Sequence, residues 1–133
     1  MIGYEAGHIL EPSLAGSAKT PALPLIWFGL FRTFREIAPA DVPALLPDPA
    51  AGWLGSPRPG LSRKAYGTAM DRVKAYIEAG DIYQANLSMR ATVATLGHPL
   101  ALYAGLRARA LSGYGGLIWT GADWLLSLSP ELF

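Results

Sequence analysis

Three polar side chains spaced by two residues, Gln84, Asn86 and Ser88, interrupt the apolar stretch "AGDIYQANLSMR". In an extended chain successive side chains point to opposite faces, so this spacing gathers the three on one side. Amides and a hydroxyl can orient a substrate through hydrogen bonds. An amide does not usefully bind a proton near neutral pH, so Gln84 and Asn86 are not general bases. A carboxylic acid, Glu131, follows a strand pattern that ends at Ser129-Pro130. In a partly dry cleft such a group rises in pKa and can serve as a general acid. Each has a plainer reading as well: Gln84 as a half-exposed strand residue bonded to a neighbour, Glu131 as a solvated turn carboxylate. The remaining polar groups offer less. Ser127 and Ser129 have no histidine nearby in sequence to activate them. His8 and His98 lack metal-ligand spacing and read as structural or surface residues. "GYGG" at 113–116 lacks the Lys-Ser/Thr of a phosphate-binding loop and reads as a backbone bend.

The chain that must position these residues has 133 of them, enough for one domain and too few for two. Hydrophobic residues make up 51% and charged ones 16%, a globular and not a disordered composition. A net charge of +1 gives no reason to expect nucleic acid or an anionic membrane as partner. The absence of cysteine excludes disulfides and thiolate chemistry and points to the cytoplasm. The longest apolar run, Leu23 to Phe31, is about half a membrane span. "MIGYEAGHIL" lacks the charged start and cleavage site of a signal peptide. Both ends, apolar Met1-Ile2-Gly3-Tyr4 and aromatic Phe133, read as those of a piece of a longer chain.

Three regions are expected. Residues 1–37 hold an N-terminal strand region in which "LPLIWFGLFRTF" is aromatic and β-branched enough for a strand, buried at first. Residues 38–61 contain Pro39, Pro43, Pro47, Pro49, Pro57, Pro59 and three glycines, and read as a long surface connection. Residues 62–133 read as helix, strand, helix and hairpin. The first helix spans Arg63–Ala79, capped by Ser62 and stopped at Gly80, with Tyr66, Ala69, Met70, Val73, Tyr76 and Ile77 along one buried face. An alternating strand follows from Ile82 to Ala94, and a second helix from Pro99 to Ala110 with proline in its first turn. Strands at 116–120 and 124–128 close the chain through a Gly121-Ala122-Asp123 turn. The fold class is α+β, with helices packed on an antiparallel or mixed sheet.

"YIEAGDIYQANLSMR" followed by "LLSLSPELF" resembles the chorismate-utilising enzymes, and the form Tyr-Gln-x-Asn is most similar to their aminodeoxychorismate synthase component I branch. "GYEAGHILEP" and "LPLIWFGLF" are similar to the same branch, so the resemblance takes in most of the chain outside 38–61. It implies a partial chorismate-binding domain within a larger α/β sandwich, inactive alone. The implied reaction turns chorismate and ammonia into 4-amino-4-deoxychorismate, on the para-aminobenzoate and folate branch. Ammonia would come from a glutamine amidotransferase subunit or domain. Mg2+ is the implied cofactor, with its ligands outside this chain, as are the tryptophan pocket and the carboxylate-binding residues. The position matching Gln84 is a lysine in the water-adding members, where it activates water; glutamine there can bind ring substituents or the incoming nitrogen without making hydroxide. Gln84 and Asn86 are therefore implied substrate-binding residues and Glu131, from the Ser-Pro-Glu motif, the implied acid. Two rival readings stand beside this one. One is an anthranilate synthase component I piece; the other is a non-catalytic piece whose apolar face binds a partner.

Overall fold

A computed structural model describes residues 1–17, 23–111 and 113–129. Its helices are α1 (Gly7–Leu10), α2 (Arg63–Ala79) and α3 (Pro99–Ala110). Its strands are β1 (Trp53–Leu54), β2 (Arg58–Pro59), β3 (Ala91–Thr92), β4 (Thr95–Leu96), β5 (Tyr114–Trp119) and β6 (Trp124–Ser129). All of these strands pair antiparallel, β1 with β4, β2 with β3 and β5 with β6, so the architecture is α+β. The chain divides into two compact units. The first joins Met1–Pro47 to the chain from Tyr103 onward, and the second is Asp48–Leu102.

In the second unit, α2 begins where the Ser62 hydroxyl accepts from the Ala65 N–H at 3.1 Å. It ends at Gly80, which takes the left-handed φ of 80° that lets its N–H turn back to the carbonyls of Ile77 and Tyr76. Both signals act as their residue types demand. The apolar stripe is only half covered, however. Tyr66, Ala69, Met70 and Val73 are half-buried, while Tyr76 and Ile77 are exposed.

The Pro-rich region is not a bare connection. It carries two 3-10 turns, Val42–Leu45 and Pro49–Ala51, and both β1 and β2. Strand β1 lies beside β4 with Trp53 opposite Leu96, and β2 beside β3 with Arg58 opposite Thr92. Prolines serve here because two-residue ladders leave most N–H groups without a ladder role. Between β4 and α3, Gly97 adopts φ 87°, and a methyl group at its Cα would run into the Ala51 carbonyl oxygen. His98 then opens α3: its Nδ1 accepts from the Leu100 N–H at 3.2 Å, and its carbonyl from the Ala101 N–H at 2.9 Å. Gly97→Ala combines left-handed strain with a collision against backbone. It is expected to cost about 3 kcal/mol of stability, read from the midpoint of urea unfolding.

The first unit centres on the β5–β6 hairpin, in register from Tyr114 opposite Ser129 to Trp119 opposite Trp124. Thr120 closes it: its N–H donates to the Asp123 carbonyl, and its hydroxyl oxygen accepts from the Asp123 N–H, both at 3.0 Å. Trp119 and Trp124 pack at the closed end with ring centroids 5.3 Å apart. The Trp27 indole N–H donates to the Thr120 carbonyl at 3.3 Å, tying the N-terminal segment to the hairpin. Ser13 N–H donates to the Glu11 carboxylate and holds its pKa below the usual range. Among the described residues, the buried apolar ones in this unit are Ala6 and Tyr103.

The N-terminal strand expected over "LPLIWFGLFRTF" does not form as a strand. An isolated bridge joins Ile26 to Ile2, and Gly3 N–H donates to the Leu25 carbonyl at 2.7 Å. Beyond that point Phe28, Leu30, Phe31 and Phe34 are largely exposed. A strand is defined by its neighbour, and among the described residues only the few from Met1 to Gly3 run beside it.

Candidate active-site segment

The segment that carries Gln84 and Asn86 lies in the second unit, directly after α2. Its entry is fixed by the helix end. Past Gly80, the N–H groups of Asp81 and Ile82 both donate to the Tyr76 carbonyl, at 3.0 and 3.5 Å. Its exit is fixed by the Gly60 N–H, which donates to the Arg90 carbonyl at 2.8 Å just before β3. Between these points the Tyr66 hydroxyl donates a long 3.3 Å bond to the Leu87 carbonyl, holding the middle of the segment to α2. The Ser88 hydroxyl donates to the Asn86 carbonyl at 3.3 Å.

The alternating strand expected over 82–94 is thus realised only as Ala91–Thr92. No ladder partner covers 82–90 among the described residues, so that stretch is irregular. The residues expected to face inward are mostly open too. Leu87 and Val93 are half-buried, whereas Tyr83 is 86% exposed and Met89 48%. Gln84 and Asn86 are both exposed, so their amides present donors and acceptors with no competing side-chain partner drawn from a packed core. From Tyr83 to Met89 the chain has no ionisable acid or base apart from the Tyr83 phenol. The segment is therefore equipped to bind and orient, not to exchange protons near neutral pH.

Glu131 lies outside the described residues; β6, the strand preceding it in sequence, ends at Ser129. Among the described residues no cluster of three or more His, Asp or Glu side chains could hold a metal ion. Among those residues no helix is long and apolar enough to cross a membrane. Tyr66 was legible in the sequence as a core-face residue of α2, but the use of its hydroxyl to anchor the segment was not, because that bond spans 21 residues.

The chorismate binding enzyme family matches this chain over residues 1–133, and the chain belongs to that family. Its similarity to individual curated proteins is narrower. It is 45% identical over 71 residues to anthranilate synthase component 1 of Thermus thermophilus, covering 53% of this chain and 15% of that protein. It is 33% identical over 76 residues to aminodeoxychorismate synthase component 1 of Klebsiella aerogenes, covering 57% of this chain and 17% of that protein. It is 31% identical over 98 residues to 2-amino-4-deoxychorismate synthase of Streptomyces globisporus, covering 71% of this chain and 20% of that protein. The chain thus spans a fifth or less of the length of these relatives. No solved structure matches it.

Proposed function

We propose that this chain is the segment of a chorismate-aminating synthase that presents the substrate-facing amides, and that the whole enzyme converts chorismate and ammonia to 4-amino-4-deoxychorismate. The observation that carries this reading is the uncharged run Tyr83-Gln84-Ala85-Asn86, exposed on a segment anchored at both ends within a chorismate binding enzyme chain. A neutral amide can hold a ring substituent or an incoming ammonia while leaving water unactivated. In the proposed division of labour, Gln84 and Asn86 orient chorismate and Glu131 delivers the proton that lets the C4 oxygen depart as water. Magnesium would neutralise substrate carboxylate charge when bound, through ligands other than the described residues. A glutamine amidotransferase subunit or domain is the proposed source of ammonia.

The second reading, an anthranilate synthase component, is favoured by the 45% identity to the Thermus protein. Product analysis separates the two. A complete enzyme carrying this segment, supplied with chorismate, ammonia and magnesium, is expected to release 4-amino-4-deoxychorismate. Anthranilate in its place would establish the second reading, and unconsumed chorismate would overturn both. The 133-residue chain alone is expected to show no turnover, since it spans so little of its relatives.

A further inference from the structure

The segment from Ile82 to Arg90 is tied down unevenly along its length. Among the described residues, no hydrogen bond is made by the backbone or side chain of Tyr83, Gln84 or Ala85. Just beyond them, two successive carbonyls are held. The Asn86 carbonyl accepts from the Ser88 hydroxyl at 3.3 Å, and the Leu87 carbonyl accepts from the Tyr66 hydroxyl at 3.3 Å. A peptide unit is rigid, so holding its carbonyl restrains the whole plane. The planes on both sides of Leu87 are therefore restrained, and the first of them contains the Asn86 Cα, from which the amide side chain departs. Tyr66 supplies the outside reference. It is half-buried in the first half of the 17-residue α2, and its bond reaches across 21 residues, whereas Ser88 bonds only within the segment. Leu87 itself is half-buried, with exposed residues on either side.

We propose that Tyr66 is a positioning residue for Asn86. Through the Leu87 carbonyl it gives the Asn86 amide a fixed setting against α2, while the Gln84 amide, two residues earlier, is left to adapt to what it binds. This inference rests on the substrate-facing role proposed above for the two amides. A side chain that is already aimed loses less freedom on binding, so more of its hydrogen-bond strength reaches the ligand. An untethered amide has to be ordered by the ligand itself. The two amides thus differ in kind: Asn86 fixes orientation, and Gln84 follows the group presented to it. The tether acts through the backbone, because the bonds of Tyr66 and Ser88 end on main-chain oxygens and leave the Asn86 side chain free for substrate.

The test is a double-mutant cycle on kcat/KM in a complete enzyme carrying this segment, supplied with chorismate, ammonia and magnesium. Tyr66→Phe removes one hydroxyl and keeps the ring, and is expected to lower kcat/KM about three- to tenfold, the size of one neutral hydrogen bond. In an Asn86→Ala background the same change should cost less than about twofold, because the amide it aims is gone. In a Gln84→Ala background it should cost as much as in the parent. A hydroxyl that served stability alone would act equally in all of these backgrounds. An undiminished loss beside Asn86→Ala, no loss in the parent, or a loss that disappears beside Gln84→Ala each overturn the proposal. The underlying reading fails differently: Asn86→Ala and Gln84→Ala would then each leave kcat/KM unchanged, and the positioning role would fall with it. Ser88→Ala, at an exposed position, carries the same cycle with the same expected pattern if Tyr66→Phe does not fold.

Discussion

Glu131→Gln in a complete enzyme carrying this segment is expected to lower kcat by about 10²–10⁴-fold, the usual contribution of general acid catalysis. In the proposed amination, departure of the C4 hydroxyl of chorismate as hydroxide is prohibitive near neutral pH, so a proton must reach that oxygen as the C–O bond breaks. Glutamine preserves the shape and the acceptor of glutamate and removes only the transferable proton. Chorismate affinity should therefore change little while turnover collapses, which a KM-against-kcat comparison reads directly. The pH profile supplies the second readout. The limb of the kcat profile that reports the essential acid should vanish in the variant. A loss under about tenfold with the limb intact would make Glu131 a solvated turn residue.

Gln84→Lys should change the product instead of the rate alone. An exposed lysine stays protonated near neutral pH and does nothing; one enclosed by bound substrate and the rest of a cleft loses its proton more easily and becomes a base. On the proposed placement the variant gains water addition at C2 of chorismate, seen by chromatography as a hydroxylated product absent from the parent. Because the lysine also carries charge where a neutral amide stood, amination should fall about tenfold or more, by analogy with the loss of a hydrogen bond in a charged site. Unchanged amination with no hydroxylated product would remove Gln84 from the substrate's surroundings.

The helices and the hairpin were legible because their signals are local. Ser62, Gly80 and Pro99 mark helix ends through bonds made within four residues, and the structure places α2 and α3 at the bounds they indicate. The hairpin is equally local, though its turn is closed by the Thr120 hydroxyl as well as by the Gly121-Ala122-Asp123 run. What alternation could not reveal was whether a strand would find a neighbour. Ile82 to Arg90 and Phe28 to Phe34 both have strand composition, and among the described residues neither finds a ladder partner. The pairing of β1 with β4 was hidden for the same reason, since Trp53 and Leu96 meet across a whole helix and its flanks. At the candidate site, the amides of Gln84 and Asn86 could be read from residue type and spacing.

The discontinuity of the first unit sets an order on biosynthesis. Residues 48–102 form an uninterrupted stretch, so the second unit can close as soon as it leaves the ribosome. The N-terminal segment has no such freedom. The bond from Trp27 to Thr120 spans 93 residues, a closure worth about 4 kcal/mol of chain entropy before the constant term. Until β5 and β6 are made, residues 1–47 wait without the tie from Trp27 to Thr120. Slowing translation downstream of residue 102 would lengthen the interval in which the N-terminal segment lacks its hairpin partner.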